Sequence, residues 1–206
     1  LLNAERFKRL KAAGMHSITI SLDGFEEAHD WMRRIPNGFK HAVEAIKLLV
    51  ADNDIVYDVV TCANQKNYDS LPEFRDFLIS IGVKEWRIFT IFPVGRAAEN
   101  PELQLNDRQF TDLMKFIADT RKEGKIKVSY GCEGFLGGYE TEVRDTFYQC
   151  NAGVNVSSIL ADGSISACPS IRANYHQGNI YTDDLWDVWT NRYQKFRDRS
   201  WMKKDE

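Results

Sequence analysis

Four short apolar stretches that read as strands begin near residues 17, 55, 86 and 126, and a segment of helical periodicity lies between each consecutive pair. Strands that alternate with helices pair in parallel, because a parallel connection must cross from one end of the sheet to the other and a helix fills that crossover. This order confines the first two thirds of the chain to an α/β fold with right-handed crossovers. The sheet is then either open and doubly wound, or bent into part of a (β/α) barrel.

The first stretch, Ile18-Thr19-Ile20-Ser21-Leu22-Asp23-Gly24, helps to choose. Ile18, Ile20 and Leu22 fall on one face, and Thr19, Ser21 and Asp23 on the other. Polar residues at the carboxyl end of a strand favour a barrel whose site lies at that rim. A plain role for Ser21 and Asp23 in the βα turn stays open. The expected helices carry Phe7, Leu10 and Ala13 before Gly14; Phe39, Val43, Ile46 and Val50 after Asn37-Gly38; and Phe74, Phe77, Leu78 and Ile81 between Ser70 and Gly82. A further one carries Phe110, Leu113, Met114 and Ile117 between a capping Asn106 and Gly124.

The pattern changes after Gly131. Gly134, Gly137 and Gly138 mark a connection, and Ala161-Asp162-Gly163 separates two apolar runs, which is a hairpin signal. Thr182 is expected to cap a short helix bearing Leu185, Val188 and Trp189, with Trp186 and Trp189 in the core of a small lobe. The expected domains are residues 1–131 and 132–206. The net charge is −3, so there is no electrostatic case for nucleic acid or an anionic membrane, and the apolar runs fall short of a membrane span.

The four cysteines, Cys62, Cys132, Cys150 and Cys168, are too widely spaced for a disulfide framework, and a reduced, cytoplasmic setting is the default. Cys62 reads as a small core residue, and His29 and His176 as surface or capping residues. Cys150 and Cys168 bracket the hairpin. Spacing alone leaves three readings for them: a disulfide, two buried thiols, or two soft ligands of zinc or an iron–sulfur cluster.

Three places together carry a resemblance. One is the Ser21-Leu22-Asp23-Gly24 strand end followed by His29, Arg33-Arg34 and Gly38-Phe39. The next is Val59 to Asn64, Gly82 to Ile88 and Pro93-Val94-Gly95-Arg96-Ala97. The last is Cys150, twelve residues, Gly163, four residues and Cys168, with Gly178-Asn179-Ile180 and Leu185 to Trp189 downstream. The chain resembles the radical S-adenosylmethionine enzymes that carry a C-terminal auxiliary iron–sulfur extension of the SPASM or twitch type.

The resemblance implies the second half of a partial (β/α) barrel followed by a small hairpin and helix extension. It implies [4Fe–4S] clusters, S-adenosylmethionine, a 5′-deoxyadenosyl radical, and a peptide or protein substrate. By resemblance, Ser21, Arg33, Asn64 and Gly95 bind S-adenosylmethionine, with Phe92 and Pro93 beside the adenine. Asp23 faces the substrate as a proton acceptor, and Cys150, Cys168 and Cys132 are metal ligands. Residue chemistry alone leaves other roles open: a surface charge for Arg33, a loop cap for Asn64, a tight turn at Gly95.

The departures are equally specific. The family's Cys-x3-Cys-x2-Cys triplet does not occur in this sequence. The expectation is therefore a middle fragment, inactive alone, with an open sheet edge through which it self-associates. The alternative from another class is a non-radical zinc-binding module.

Overall fold

A computed structural model describes residues 2–131, 134–169, 171, 175–198 and 200, the side chain of Arg96 excepted. Residues 1–148 and 149–206 form two compact units. No helix among the described residues is long and apolar enough to cross a membrane.

The first unit runs α1 (Ala4–Ala12), β1 (Ser17–Ser21), α2 (Glu26–Arg33), α3 (Gly38–Val50), β2 (Val56–Ala63), α4 (Leu71–Ser80), β3 (Glu85–Thr90), α5 (Asp107–Glu123), β4 (Lys127–Tyr130) and the single turn α6 (Glu140–Val143). The four strands form one parallel sheet in the order β1-β2-β3-β4. The expected α/β partial-barrel architecture is therefore present, with the outer edge of β1 unpaired among the described residues.

Period-two alternation sorts the two faces of the sheet. Leu22, Val59, Trp86, Ile88 and Val128 are buried against helices that contribute Ile46, Phe74, Leu113 and Ile117. The opposite face carries Thr19, Ser21, Asp58, Cys62, Arg87 and Phe89. In register, Thr19 pairs with Asp58, Ser21 with Val60, and Cys62 with Phe89. Residues of one sheet face at neighbouring registers lie within reach of one another, so this face gathers most of the first unit's polar strand side chains.

Helix ends follow the expected chemistry in places. Asn106 and Gln109 form a reciprocal capping box at α5, and Gly124 ends that helix at φ +68°. α2 has no capping side chain, because Phe25 stands at its N-cap, and it stops where Arg34 turns left-handed at φ 54°. That helix lacks the signal by which the others are read from sequence.

The second unit holds the antiparallel sheet β5 (Ser158–Ile159), β6 (Ser164–Ser166) and β7 (Gly178–Asn179), then α7 (Leu185–Asn191) and α8 (Gln194–Arg197). The Asp162-Gly163 hairpin is present, with Gly163 at φ +83°. Its first strand is only the two residues Ser158–Ile159. Residues 151–156 wind into a tight turn in which the N–H groups of Val154, Asn155 and Val156 all donate to the Asn151 carbonyl.

Two further expectations change here. The N-cap of α7 is Asp184, whose side chain accepts from the Asp187 N–H at 2.8 Å, while the Thr182 hydroxyl turns back to the Asn179 carbonyl and to Asp183. Trp189 packs against the small core of Ile165, Ala167, Val188 and Tyr193, but Trp186 is 73% exposed.

Candidate functional site

The carboxyl end of β1 is the most tightly organised polar region of the first unit. The Leu22 N–H donates to the Val60 carbonyl at 2.9 Å, which extends the ladder one residue beyond the strand. The Leu22 carbonyl accepts from the Thr61 hydroxyl at 2.6 Å, and that hydroxyl in turn accepts from the Trp86 indole N–H at 2.8 Å. The rim is thereby tied through β2 to the buried face of β3.

Asp23 stands at the centre. Its side chain has no exposed surface. One carboxylate oxygen accepts the Cys62 N–H at 2.8 Å, and the other accepts the Arg33 Nε–H at 2.5 Å. The Asp23 N–H donates to His29 Nδ1 at 3.0 Å, and its carbonyl accepts from Asn67 Nδ2 at 3.0 Å. Every polar group of this residue is engaged, as a buried carboxylate requires.

His29, expected to be a surface or capping residue, is buried and accepts a backbone N–H. Burial pushes its imidazole pKa down, against a smaller upward pull from the Asp23 carboxylate. The ring is therefore neutral near pH 7. Because Nδ1 accepts the Asp23 N–H, the proton sits on Nε2. The 3.7 Å approach of Nδ1 to the Asp23 carboxylate is accordingly not an ion pair.

Arg33 is held at Nε only. Its two terminal nitrogens have no partner among the described residues, and neither has the Ser21 hydroxyl. Both side chains line one cavity of about 220 Å³, together with Thr19, His29, Ile35 and His41. The structure thus brings Ser21, Arg33 and Asp23 together. Asn64 is linked to them from below. Its amide donates to the Cys62 carbonyl at 3.0 Å and accepts the Lys66 N–H at 2.8 Å, and its own N–H donates to Asn67 at 2.8 Å. It is fully buried and braces the loop after β2.

Gly95 does not line this cavity. It lies in the loop after β3 at φ +61°, exposed, with open space where a Cβ would stand. Phe92 and Pro93 of the same loop line a separate hollow of about 510 Å³ with Thr90, Phe110 and Tyr130.

Two features escaped the sequence reading. Cys62 is not a core residue: β2 continues to Ala63, so Cys62 falls on the sheet face away from the helices and is half-buried. On that face Asp58 accepts from the Thr19 hydroxyl at 2.6 Å and pairs with Arg87 Nε, and Arg87 Nη2 reaches the Thr19 hydroxyl at 3.3 Å. Polar residues at alternate strand positions, one acid and one base among them, were the available signal.

In the second unit Cys150 is exposed and Cys168 half-buried, and neither is in a disulfide. Their thiols are soft donors suited to iron–sulfur or zinc. No three His, Cys, Asp or Glu residues gather into a metal-binding group among the described residues. Cys132 lies outside the described residues. The donor chemistry fits a cluster, of which these residues supply part of the four-thiolate set.

Residues 150–206 match the SPASM family, described as an iron–sulfur cluster-binding domain. The AdoMet-dependent heme synthase of Methanosarcina barkeri (strain Fusaro / DSM 804) is 23% identical over 221 residues, covering 98% of this chain and 62% of that protein. The sporulation killing factor maturation protein SkfB of Bacillus subtilis (strain 168) is 25% identical over 197 residues, covering 89% of this chain and 43% of that protein. Among solved structures, native anSMEcpe with bound AdoMet and Cp18Cys peptide has the same fold, with a TM-score of 0.61 at 15% identity over 94% of this chain and 56% of that one. The chain thus spans 62% and 43% of the two curated relatives.

A parallel βα sheet with a polar rim, followed by a cysteine-bracketed hairpin, defines a barrel-type α/β protein with an iron–sulfur extension. With these likenesses, residues 150–206 match the SPASM domain, and the chain is similar over most of its length to AdoMet-dependent proteins of the radical S-adenosylmethionine type. The zinc-module reading is not favoured.

Proposed function

We propose that this chain provides part of the S-adenosylmethionine-binding rim and the first auxiliary-cluster ligands of a radical S-adenosylmethionine enzyme that modifies a peptide or protein. The observation that carries the reading is the convergence of the Ser21 hydroxyl and the terminal Arg33 nitrogens, without protein partners among the described residues, on one cavity at the carboxyl end of β1.

A [4Fe–4S] cluster, when bound in such an enzyme, would supply the electron for reductive cleavage of S-adenosylmethionine and so give access to hydrogen-atom abstraction from the substrate. The residues of this chain bind and orient. Arg33 pairs with the cofactor carboxylate through a charge-assisted hydrogen bond. Ser21 hydrogen-bonds the carboxylate or the ribose. Asn64 holds the end of β2 in place beneath them. The loop carrying Phe92, Pro93 and Gly95 borders the adenine side, where a residue without Cβ permits close backbone approach. Cys150 and Cys168 ligate an auxiliary cluster, in a reducing cytoplasm. The unpaired edge of β1 receives the strands that complete the barrel.

A peptide or protein substrate is supported by the name of the B. subtilis relative, a maturation protein for a killing factor, and by the peptide held in anSMEcpe. A tetrapyrrole is the second reading, favoured by the heme synthase that matches 98% of this chain. Mass spectrometry of intact-enzyme turnovers with a candidate peptide and with an iron porphyrin separates them.

The cofactor site is tested by calorimetric titration of S-adenosylmethionine into the intact, reconstituted protein. Arg33→Ala is expected to weaken binding about 10- to 100-fold, the range for losing a hydrogen bond to a charged group, and Ser21→Ala by about tenfold or less. Wild-type affinity in both variants would remove this rim from the site.

A further inference from the structure

Asp23 has the residue type of a proton acceptor, but its geometry is unlike one. A general base needs a lone pair within hydrogen-bond reach of the proton it removes. The Asp23 carboxylate has no exposed surface, and each of its oxygens already accepts a hydrogen bond, from the Cys62 N–H at 2.8 Å and the Arg33 Nε–H at 2.5 Å.

The way Arg33 is held matters. A guanidinium is planar and carries its donors in a fixed fork. Anchoring Nε fixes the plane and leaves Nη1 and Nη2 directed away from the anchor. In Arg33 these two nitrogens meet no protein group among the described residues, and the side chain lines the cavity that also receives the Ser21 hydroxyl. A paired set of donors on one edge is the arrangement that reads a carboxylate bidentately.

The carboxylate itself is well fixed. Asp23 is tied to β2 through Cys62 N–H, to α2 through His29 Nδ1, and to the loop after β2 through Asn67. The next residue, Gly24, adopts φ +102°, and a Cβ there would stand 3.0 Å from Asn67 Cβ. The strand end therefore has little freedom to shift, and it passes that rigidity to the Arg33 side chain, which is about one third exposed.

We propose that Asp23 is a positioning residue, not a base: it orients the Arg33 guanidinium so that both terminal nitrogens face the α-amino-acid carboxylate of S-adenosylmethionine. The inference rests on the assignment of the Ser21–Arg33 cavity to that cofactor, and it assigns the adjoining buried carboxylate to binding alone. An acid so placed acts on cofactor affinity through Arg33.

The test is a double-mutant cycle read by calorimetric titration of S-adenosylmethionine into the intact, reconstituted protein. Asp23→Asn keeps the shape and the acceptor for Cys62 N–H and removes the charge that holds Arg33. It is expected to weaken binding about 10-fold or more. Asp23→Asn/Arg33→Ala should bind no more weakly than Arg33→Ala alone, whereas Asp23→Asn/Ser21→Ala should show the sum of its two losses. A merely structural role for Asp23 would instead add its loss to that of Arg33→Ala.

Arg33→Lys keeps the charge without the fork and should lose affinity like Arg33→Ala. This second variant decides the matter if Asp23→Asn does not fold. Wild-type affinity in Asp23→Asn or in Arg33→Lys, with Ser21→Ala weakened, overturns the inference and leaves the site standing. Wild-type affinity in both Ser21→Ala and Arg33→Ala overturns the site and the inference with it.

Discussion

Replacing Arg144 by Met is expected to destabilise the first unit by about 3–5 kcal/mol, the cost of leaving a buried charge without its partner. Glu140 is 1% exposed; it accepts the Leu136 N–H at 2.9 Å and the Tyr148 N–H, and pairs with Arg144 Nη1 at 2.9 Å. Arg144 in turn donates to the carbonyls of Gly131 and Gly134 at 3.0 Å each, and its guanidinium lies over the rings of Tyr130 and Tyr148. One i, i+4 pair on a single helical turn therefore gathers both ends of the segment from the end of β4 to Tyr148. Met matches the stem of Arg144 but supplies no donor, so two carbonyls and the carboxylate lose partners together. Globular domains have about 5–15 kcal/mol in all, so urea unfolding should detect the loss readily. A change under about 1 kcal/mol would show that the pair is solvent-screened, as surface pairs are.

The same carboxylate gives a pH signature. Burial pushes the Glu140 carboxyl up, but the Leu136 and Tyr148 N–H groups and the Arg144 guanidinium together outweigh it, and the net position is below the ordinary Glu value. The unfolded chain then binds the proton more readily than the folded one. Glu140 thus contributes stability that is complete above the ordinary Glu range and is lost as the pH falls through the lower folded-state value. Glu140→Gln should flatten that acid limb of the stability profile.

The other large expected effect is on metal content. Cys150→Ala or Cys168→Ala, in the intact and anaerobically reconstituted protein, should remove the iron and sulfide of one auxiliary centre, about four of each for a [4Fe–4S] cluster. The small core of the second unit does not depend on these thiols. It is built from Ile165, Ala167, Val188 and Tyr193, with Ile171, Trp189 and Phe196 against it. Cys150 is exposed, so its thiol contributes little packing. The variants should therefore resemble the metal-free wild type by circular dichroism while differing from the loaded wild type in iron. Unchanged iron in both would show that the hairpin cysteines are not ligands.

Features written in local chemistry were legible in the sequence. The alternation of Ile18, Ile20 and Leu22 with Thr19, Ser21 and Asp23 predicts a two-faced strand, and the four-stranded parallel sheet follows from its repetition with helices between. Asn106 with Gln109, and Asp162 with Gly163, are short-range signals that need no tertiary information. What was not legible depends on contacts across the fold. Asp23 and Arg33 are ten residues apart, Arg33 being the last residue of α2, and nothing local shows that the carboxylate loses all contact with water and takes Arg33 at Nε. Cys62 reads as core because cysteine is usually a small buried residue; its pairing with Phe89 in the parallel register puts it on the open face. Thr182 and Asp184 are both good capping residues, and the choice was made by the Asn179 carbonyl, which takes the Thr182 hydroxyl. Asp58 and Arg87 lie on different strands, and only the parallel register makes them neighbours.

The proposed function assigns the rim at the carboxyl end of β1 to radical cleavage of S-adenosylmethionine in the intact protein. The most direct measurement is the amount of 5′-deoxyadenosine formed when the anaerobically reconstituted, full-length protein is reduced with dithionite in the presence of S-adenosylmethionine. The account predicts that the wild type forms 5′-deoxyadenosine together with methionine, and that Arg33→Ala with its clusters intact forms much less at subsaturating cofactor. A wild-type protein that is fully loaded with iron and sulfide, is reduced, and forms no 5′-deoxyadenosine would contradict it.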